Sequence, residues 1–217
     1  MAIIVLLRHG ENEWVKKHRL AGWIPDVHLN EKGRRQAAEA AQRLRVLAVK
    51  ALYSSPVIRC VETDEYVSQA LDLPIPNIDD IGEFRYGSWE GKKIKKLAKK
   101  PLSHAVQYSP SLLRFPGGGL ALREVQLRLV QALEQLAVQH LVEIIVFVSL
   151  ADAIKLVLAH YLGVHMDLFQ RIAVSPASVS ILYLAENGAM RVLRMNDDGP
   201  LRPFEKPAKD KKKGKKG

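Results

Sequence analysis

The sequence predicts an α/β fold: a three-layer sandwich in which a largely parallel sheet carries helices on both faces. Three observations lead there. The runs Ile3-Ile4-Val5-Leu6-Leu7 and Ile144-Ile145-Val146-Phe147-Val148 are unbroken apolar stretches rich in β-branched residues, the pattern of strands covered on both sides. Segments with helical periodicity separate the strand-like runs, as crossovers between parallel strands require. The chain has 217 residues and 47% hydrophobic content, enough for a substantial core in one domain.

The elements follow in order. Residues 3–7 form a strand that delivers Arg8-His9-Gly10 to its carboxyl end, the edge of an open α/β sheet where ligands bind. Residues 11–29 read as a loop with turn signals at Gly22 and Pro25-Asp26. Asn30 can cap a helix whose Ala37, Ala40, Ala41, Leu44 and Leu47 share one face. Residues 51–53 make a short strand, and Pro56 suits the first turn of a helix over about 57–71. Pro74 and Pro76 break the chain before a short extended piece near Ile78.

Residues 80–120 read as an excursion that covers the site. Gly82, Gly87 and Gly91 punctuate it, a lysine-rich stretch from Lys92 to Lys100 follows, and Pro116-Gly117-Gly118-Gly119 closes it. A helix over about 122–140 turns Val125, Leu129, Leu133 and Leu136 inward. After the strand at 144–148 comes a helix over about 152–162. Residues 178–184 and 190–195 read as a hairpin turning at Glu186-Asn187-Gly188. The expected organisation is one domain over residues 1–204 and a disordered lysine-rich tail over 205–217.

Composition narrows the setting. The single cysteine, Cys60, excludes an internal disulfide framework and fits a reducing compartment. No apolar stretch reaches transmembrane length and no basic leader precedes the first strand, so the cytoplasm is expected and a membrane partner is not. The net charge is +10, and residues 205–217 hold seven lysines against Glu205 and Asp210. Such a tail either reaches for polyanions non-specifically or is a solvated end. No aromatic residue interleaves its lysines to stack on bases, which favours the solvated end and speaks against nucleic acid as a partner. Nothing in the sequence sets the oligomeric state.

Three features converge on the carboxyl edge of the predicted sheet: Arg8-His9-Gly10-Glu11-Asn12, Arg59 in the first turn of a helix, and Glu83 at the head of the excursion. Two arginines around one histidine suit an anion with several oxygens, and phosphate matches guanidinium geometry. A neutral imidazole can attack phosphorus, and a carboxylic acid can protonate a leaving oxygen.

These residues stand in motifs that resemble the histidine phosphatase superfamily, also called phosphoglycerate mutase-like. The resemblance covers about residues 2–195. It rests on Leu7-Arg8-His9-Gly10-Glu11, Leu20-Ala21-Gly22-Trp23, Leu29-Asn30-Glu31-Lys32-Gly33, Ser54-Ser55-Pro56-Val57-Ile58-Arg59-Cys60 with Thr63, Glu83 through Glu90-Gly91, and Phe115-Pro116-Gly117-Gly118. The stretches Ala159-His160-Tyr161-Leu162-Gly163 and Ser175-Pro176-Ala177-Ser178 are similar to a bacterial branch of phosphomutases and phosphatases. The resemblance implies that His9 takes the phosphoryl group as phosphohistidine, that Arg8 and Arg59 clamp its oxygens, and that Glu83 serves as acid toward the leaving group. It places Asn12 and Gly22 where an entry loop meets phosphate. It implies a phosphorylated small-molecule substrate, with neither a cofactor nor a metal.

The chain departs from the family pattern at identifiable positions. The family's second histidine follows the third strand, where this sequence has Leu150 after Val146-Phe147-Val148-Ser149. Leucine cannot donate to a phosphoryl oxygen, and losing one such donor costs on the order of 3 kcal/mol, or roughly 10²–10³ in rate. The run Gly117-Gly118-Gly119-Leu120-Ala121 lacks the Glu-Ser that usually follows Pro-Gly-Gly, and with it a helix cap. Val15 and Ala21 stand where polar residues are common. Neither His18 nor His28 is placed by any motif to replace the missing histidine, and His160 lies about 15 Å along the helix from Leu150. Two functions are therefore carried forward: a phosphatase or phosphomutase slowed by Leu150, and a pseudophosphatase that binds a phosphorylated ligand or partner without turnover.

Overall fold

The computed structural model describes residues 2–185 and 187–203. The lysine-rich tail and Glu186 of the hairpin turn lie outside the described residues. Five strands form one sheet: β1 (Ala2–Arg8), β2 (Val49–Ser54), β3 (Ile144–Ser149), β4 (Val179–Leu184) and β5 (Met190–Asp197), in the order β2-β3-β1-β4-β5. β1 and β2 both pair with β3 in parallel, whereas β4 pairs antiparallel with β1 and β5 antiparallel with β4. The α/β sandwich expected from the sequence holds. Its sheet is more mixed than expected, because the expected hairpin joins the sheet with β4 antiparallel to β1, which makes two of the four strand pairings antiparallel.

Alternation along the central strands builds two cores. Ile4 and Leu6 of β1, with Ile145 and Phe147 of β3, face the helices α6 (Leu122–Gln139) and α7 (Ala151–Tyr161). Val5, Leu7, Val146 and Val148 face α2 (Glu31–Leu44) and α3 (Ile58–Leu71). Both faces of β1 and β3 are therefore dry, which is why their sequences are continuously apolar. Ala37, Ala40, Ala41 and Leu44 of α2 are buried, and Asn30 caps that helix by accepting from the Gly33 N–H at 2.8 Å. α3 starts one residue later than expected, with Val57 at its cap and Pro56 outside it.

Between the strand edge and α2, a four-residue helix α1 (Glu13–Lys16) occupies part of the segment that reads as loop. The excursion holds short pieces of helix: 3₁₀ turns at Asp79–Ile81 and Gly87–Trp89, then α4 (Ile94–Leu97) and α5 (Pro101–Tyr108). The lysine-rich stretch is thus structured. Leu97 tucks into the core while its charged neighbours face out. Phe84 stacks on Tyr86, Phe115 meets Tyr86 and Trp89 in T-shaped contacts, and together they anchor the excursion to the α6–α7 face. At α6 the missing serine is partly replaced: Glu124 Oε2 accepts the Ala121 backbone N–H at 3.1 Å.

Candidate active site

The parallel pairing of β1 with β3 sets Arg8 opposite Ser149, so both strands end at one edge. The His9 N–H donates to the Ser149 carbonyl at 3.1 Å, and the Arg8 N–H donates to the Ser178 carbonyl at 3.1 Å. The His9 side chain is only 3% exposed. Its Nδ1 lies 2.7 Å from the Gly10 carbonyl. A carbonyl can only accept, so Nδ1 carries the proton and Nε2 keeps its lone pair. Burial, with the charges of Arg59 and Arg8, holds the ring's pKa well below its ordinary value.

The turn that holds His9 is fixed by close backbone packing. A Cβ on Gly10 would sit 2.4 Å from the Gly33 carbonyl oxygen, and a Cβ on Gly33 would sit 1.9 Å from the Glu11 oxygen. Only glycine at both places lets the start of α2 lie against residues 10 and 11. Thr63 closes the turn from the other side. Its hydroxyl accepts the Gly10 N–H at 3.1 Å and donates to the Arg59 carbonyl at 2.7 Å.

Arg59 is buried, and one of its terminal nitrogens, Nη2, donates to the Gly22 carbonyl at 2.8 Å. Gly22 has φ +55, and a Cβ there would meet Glu90 Oε1 at 2.6 Å. Gly22 thus acts here as the backbone acceptor that orients Arg59. Arg8 Nη1 donates to the Val174 carbonyl at 2.6 Å. Asn12 caps α1 through Oδ1, which accepts from the Trp14 and Val15 N–H groups. Five buried side-chain donors have no partner among the described residues: Arg8 Nε, Asn12 Nδ2, Arg59 Nη1, Ser55 Oγ and Arg128 Nε. The first three belong to residues that the sequence assigns to phosphate.

Glu83 is buried, and Oε1 accepts the Phe84 N–H at 3.0 Å. Its loop is pinned by Trp23 Nε1, which donates to the Glu83 carbonyl at 2.8 Å, and by Arg128, which donates to the Gly82 carbonyl at 2.8 Å. Burial pushes the Glu83 carboxyl up to about 7, the nearby charge of Asp152 adds to this, and Arg59 and Arg8 pull the other way. The four groups Arg8, His9, Arg59 and Glu83 therefore form one electrostatic cluster.

Asp152 and Tyr86 are the members that sequence reasoning did not assign. Tyr86 donates its hydroxyl to Asp152 Oδ2 at 3.1 Å, and Lys155 Nζ donates to Asp152 Oδ1 at 3.0 Å. The Asp152 charge bears on both Glu83 and Arg8. A carboxylate in the first turn of the helix that follows β3 was the available signal. Leu150 caps that helix, is 1% exposed, and belongs to the apolar cluster that includes Val57 and Cys60. The other histidines are engaged elsewhere: His28 Nδ1 pairs with Glu62 Oε1 at 2.5 Å, and His18 is exposed at a left-handed turn. Among the described residues no cluster of three or more His, Cys, Asp or Glu could hold a metal ion, and no helix is long and apolar enough to cross a membrane.

Known proteins share this arrangement of chain. The sequence model of the histidine phosphatase superfamily (branch 1) matches residues 4–198. Phosphoserine phosphatase 1 of Hydrogenobacter thermophilus is 28% identical over 198 residues, 90% of this chain and 92% of the relative. The 2,3-bisphosphoglycerate-dependent phosphoglycerate mutase 2 of Gloeobacter violaceus is 33% identical over 132 residues, 59% of this chain and 60% of that one. The structure of YhfR from Bacillus stearothermophilus superposes with a TM-score of 0.84 at 27% identity, covering 91% of this chain and 98% of its own. The buried histidine at the strand edge, the matching fold and the family match agree: the chain belongs to the histidine phosphatase superfamily and is an enzyme of its phosphatase and phosphomutase kind.

Proposed function

We propose that the chain transfers the phosphoryl group of a phosphorylated small molecule through a phosphohistidine on His9. The observation that carries this reading is the state of the imidazole: buried, neutral, with its proton fixed on Nδ1 by the Gly10 carbonyl. Nε2 is then the free nucleophile. Arg8 and Arg59 bring two fixed positive charges, and with Asn12 they offer the unpartnered donors that phosphoryl oxygens accept. In the first step Nε2 attacks phosphorus, the bond to the alcohol oxygen breaks, and protonated Glu83 gives that oxygen its proton. In a phosphatase, Glu83 as carboxylate then takes a proton from water, whose oxygen attacks phosphorus and releases His9. In a mutase a substrate hydroxyl replaces the water.

Leu150 sits at the carboxyl edge of β3 and offers no donor to the phosphoryl group. The reaction is therefore slow, and Leu150→His is expected to raise turnover of an aryl phosphate on the order of 10²–10³-fold. Rapid quench and mass spectrometry should find phosphate on His9 in both proteins. If neither protein turns over substrate nor carries phosphate on His9, the catalytic reading fails. Leu150 is packed among Val57 and Cys60 as a core residue, which supports the second reading, a pseudophosphatase. In that case inorganic phosphate raises the melting temperature while no phosphohistidine forms.

A further inference from the structure

A cavity of about 720 Å³ opens beside the charge cluster. Its lining does not include Arg8, His9 or Arg59, but it does include Phe84, whose N–H donates to Glu83 Oε1 at 3.0 Å, and Tyr86, whose hydroxyl donates to Asp152 at 3.1 Å; the Asp152 charge reaches Glu83 and Arg8. A group bonded to a phosphate at His9 would therefore extend toward it. We propose that this cavity receives the alcohol part of the substrate, and that the substrate is a phosphomonoester of a bulky, largely apolar alcohol bearing no cationic group. The proposal rests on the phosphate site at His9.

Size is the first argument. Ligand pockets span roughly 300–1,000 Å³, and this cavity falls in the upper part of that range. Serine and glycerate, with a handful of heavy atoms each, would leave most of it unfilled. Chemistry is the second. Leu20, Trp89, Leu97, Phe115 and Phe169 supply aliphatic and aromatic walls, and such walls reward contact with an apolar surface. Much of the enclosure comes from the excursion, through α4 and α5.

Charge is the third argument. Among the described residues Asp152 is the sole carboxylate in the lining, and it already accepts from Tyr86 and Lys155. Lys155 donates in addition to Gln170 Oε1 at 3.0 Å. Lys99 and Lys100, both exposed, border the same cavity and add positive charge beside it. An ammonium group in the alcohol would meet three lysines and no available carboxylate. Amino-alcohol phosphates whose alcohol carries an ammonium and no carboxylate, such as phosphoethanolamine, are therefore disfavoured here.

Calorimetry on the full chain with non-hydrolysable phosphonates tests this without requiring turnover. The probes are inorganic phosphate, methylphosphonate, 1-naphthylmethylphosphonate, and 3-aminopropylphosphonate as the analogue of phosphoethanolamine. The naphthyl probe should bind roughly 10- to 100-fold tighter than methylphosphonate. The amine probe should bind no tighter than methylphosphonate. Ala98→Trp and Ser103→Trp each place an indole in the cavity. Each should erase the naphthyl advantage and leave methylphosphonate affinity within about twofold; if one variant fails to fold, the other makes the comparison. Equal binding of the naphthyl and methyl probes, or a preference for the amine probe, overturns the proposal while leaving the phosphate site standing. Failure of inorganic phosphate and every phosphonate to bind overturns the phosphate site, and the proposal with it.

Discussion

His9 and Glu83 are both buried, and losing water acts on them in opposite chemical senses. Desolvation disfavours the charged form of each, so it keeps the imidazole a base and the carboxyl an acid. With the Glu83 carboxyl raised to about 7, its protonated fraction falls as pH rises through that value. Turnover of an alkyl phosphate, whose leaving oxygen needs that proton, should therefore fall about tenfold per unit above neutrality. Glu83→Gln should remove that alkaline limb and lower kcat about 10²–10³-fold; a limb that persists in this variant would assign the acid elsewhere. Asp64 poses a separate problem. Both of its carboxylate oxygens are buried without a partner among the described residues, and burial pushes it up to about 7. The folded-state value exceeds the unfolded one, so the native state holds the extra proton between about pH 4 and 7 and stability is lost as pH rises through that window. Relative to Asp64→Asn, the native chain should lose on the order of 2–4 kcal/mol from pH 4.5 to 8. Chemical denaturation at a series of pH values measures this, and parallel curves for the two proteins would refute it.

At the scale of elements, the joint between the end of β1 and the start of α2 holds the turn that carries His9, the proposed nucleophile. Gly33→Ala drives a methyl to within 1.9 Å of the Glu11 carbonyl oxygen. Backbone on one side and a capped helix on the other leave little room to yield, so a loss of roughly 2–4 kcal/mol is expected. Activity should drop with it, because the displaced turn carries the Gly10 carbonyl that fixes the His9 proton. A denaturation midpoint equal to that of the native chain would mean that the turn moves aside. The same joint shows what the sequence revealed and what it hid. β1, β3, α2 and the hairpin were legible because burial on one or two faces writes a period into the chain. α1, α4 and α5 were not, since one or two helical turns carry too little period; packing on the cluster that holds the aromatic residues fixes α4 and α5, and the Asn12 cap fixes α1. Arg8, His9, Arg59 and Glu83 were legible as motifs. The Tyr86–Asp152 contact joins residues far apart in sequence, and nothing local in either marks the other.

Across the whole molecule, the sheet order makes β1 the central strand, with β3 and β4 hydrogen-bonded to its two sides and helices over both faces. Its continuation into the site is tied on both sides as well, through the Ser178 and Ser149 carbonyls. The apolar cavity is walled largely by short helices outside the sheet. Deuterium exchange should separate the two regions. Amides of residues 3–9 should open only with global unfolding, and those of residues 94–108 through cheaper local opening; equal protection in the two segments would contradict this. The placement of His9 on the central strand then carries an evolutionary consequence. The proposed nucleophile is inherited with the part of the chain expected to be hardest to open, while the walls proposed to select the alcohol sit in the part that is easiest to rewrite. A lineage could exchange one substrate for another by edits within α4 and α5, without disturbing the strand on which its chemistry hangs.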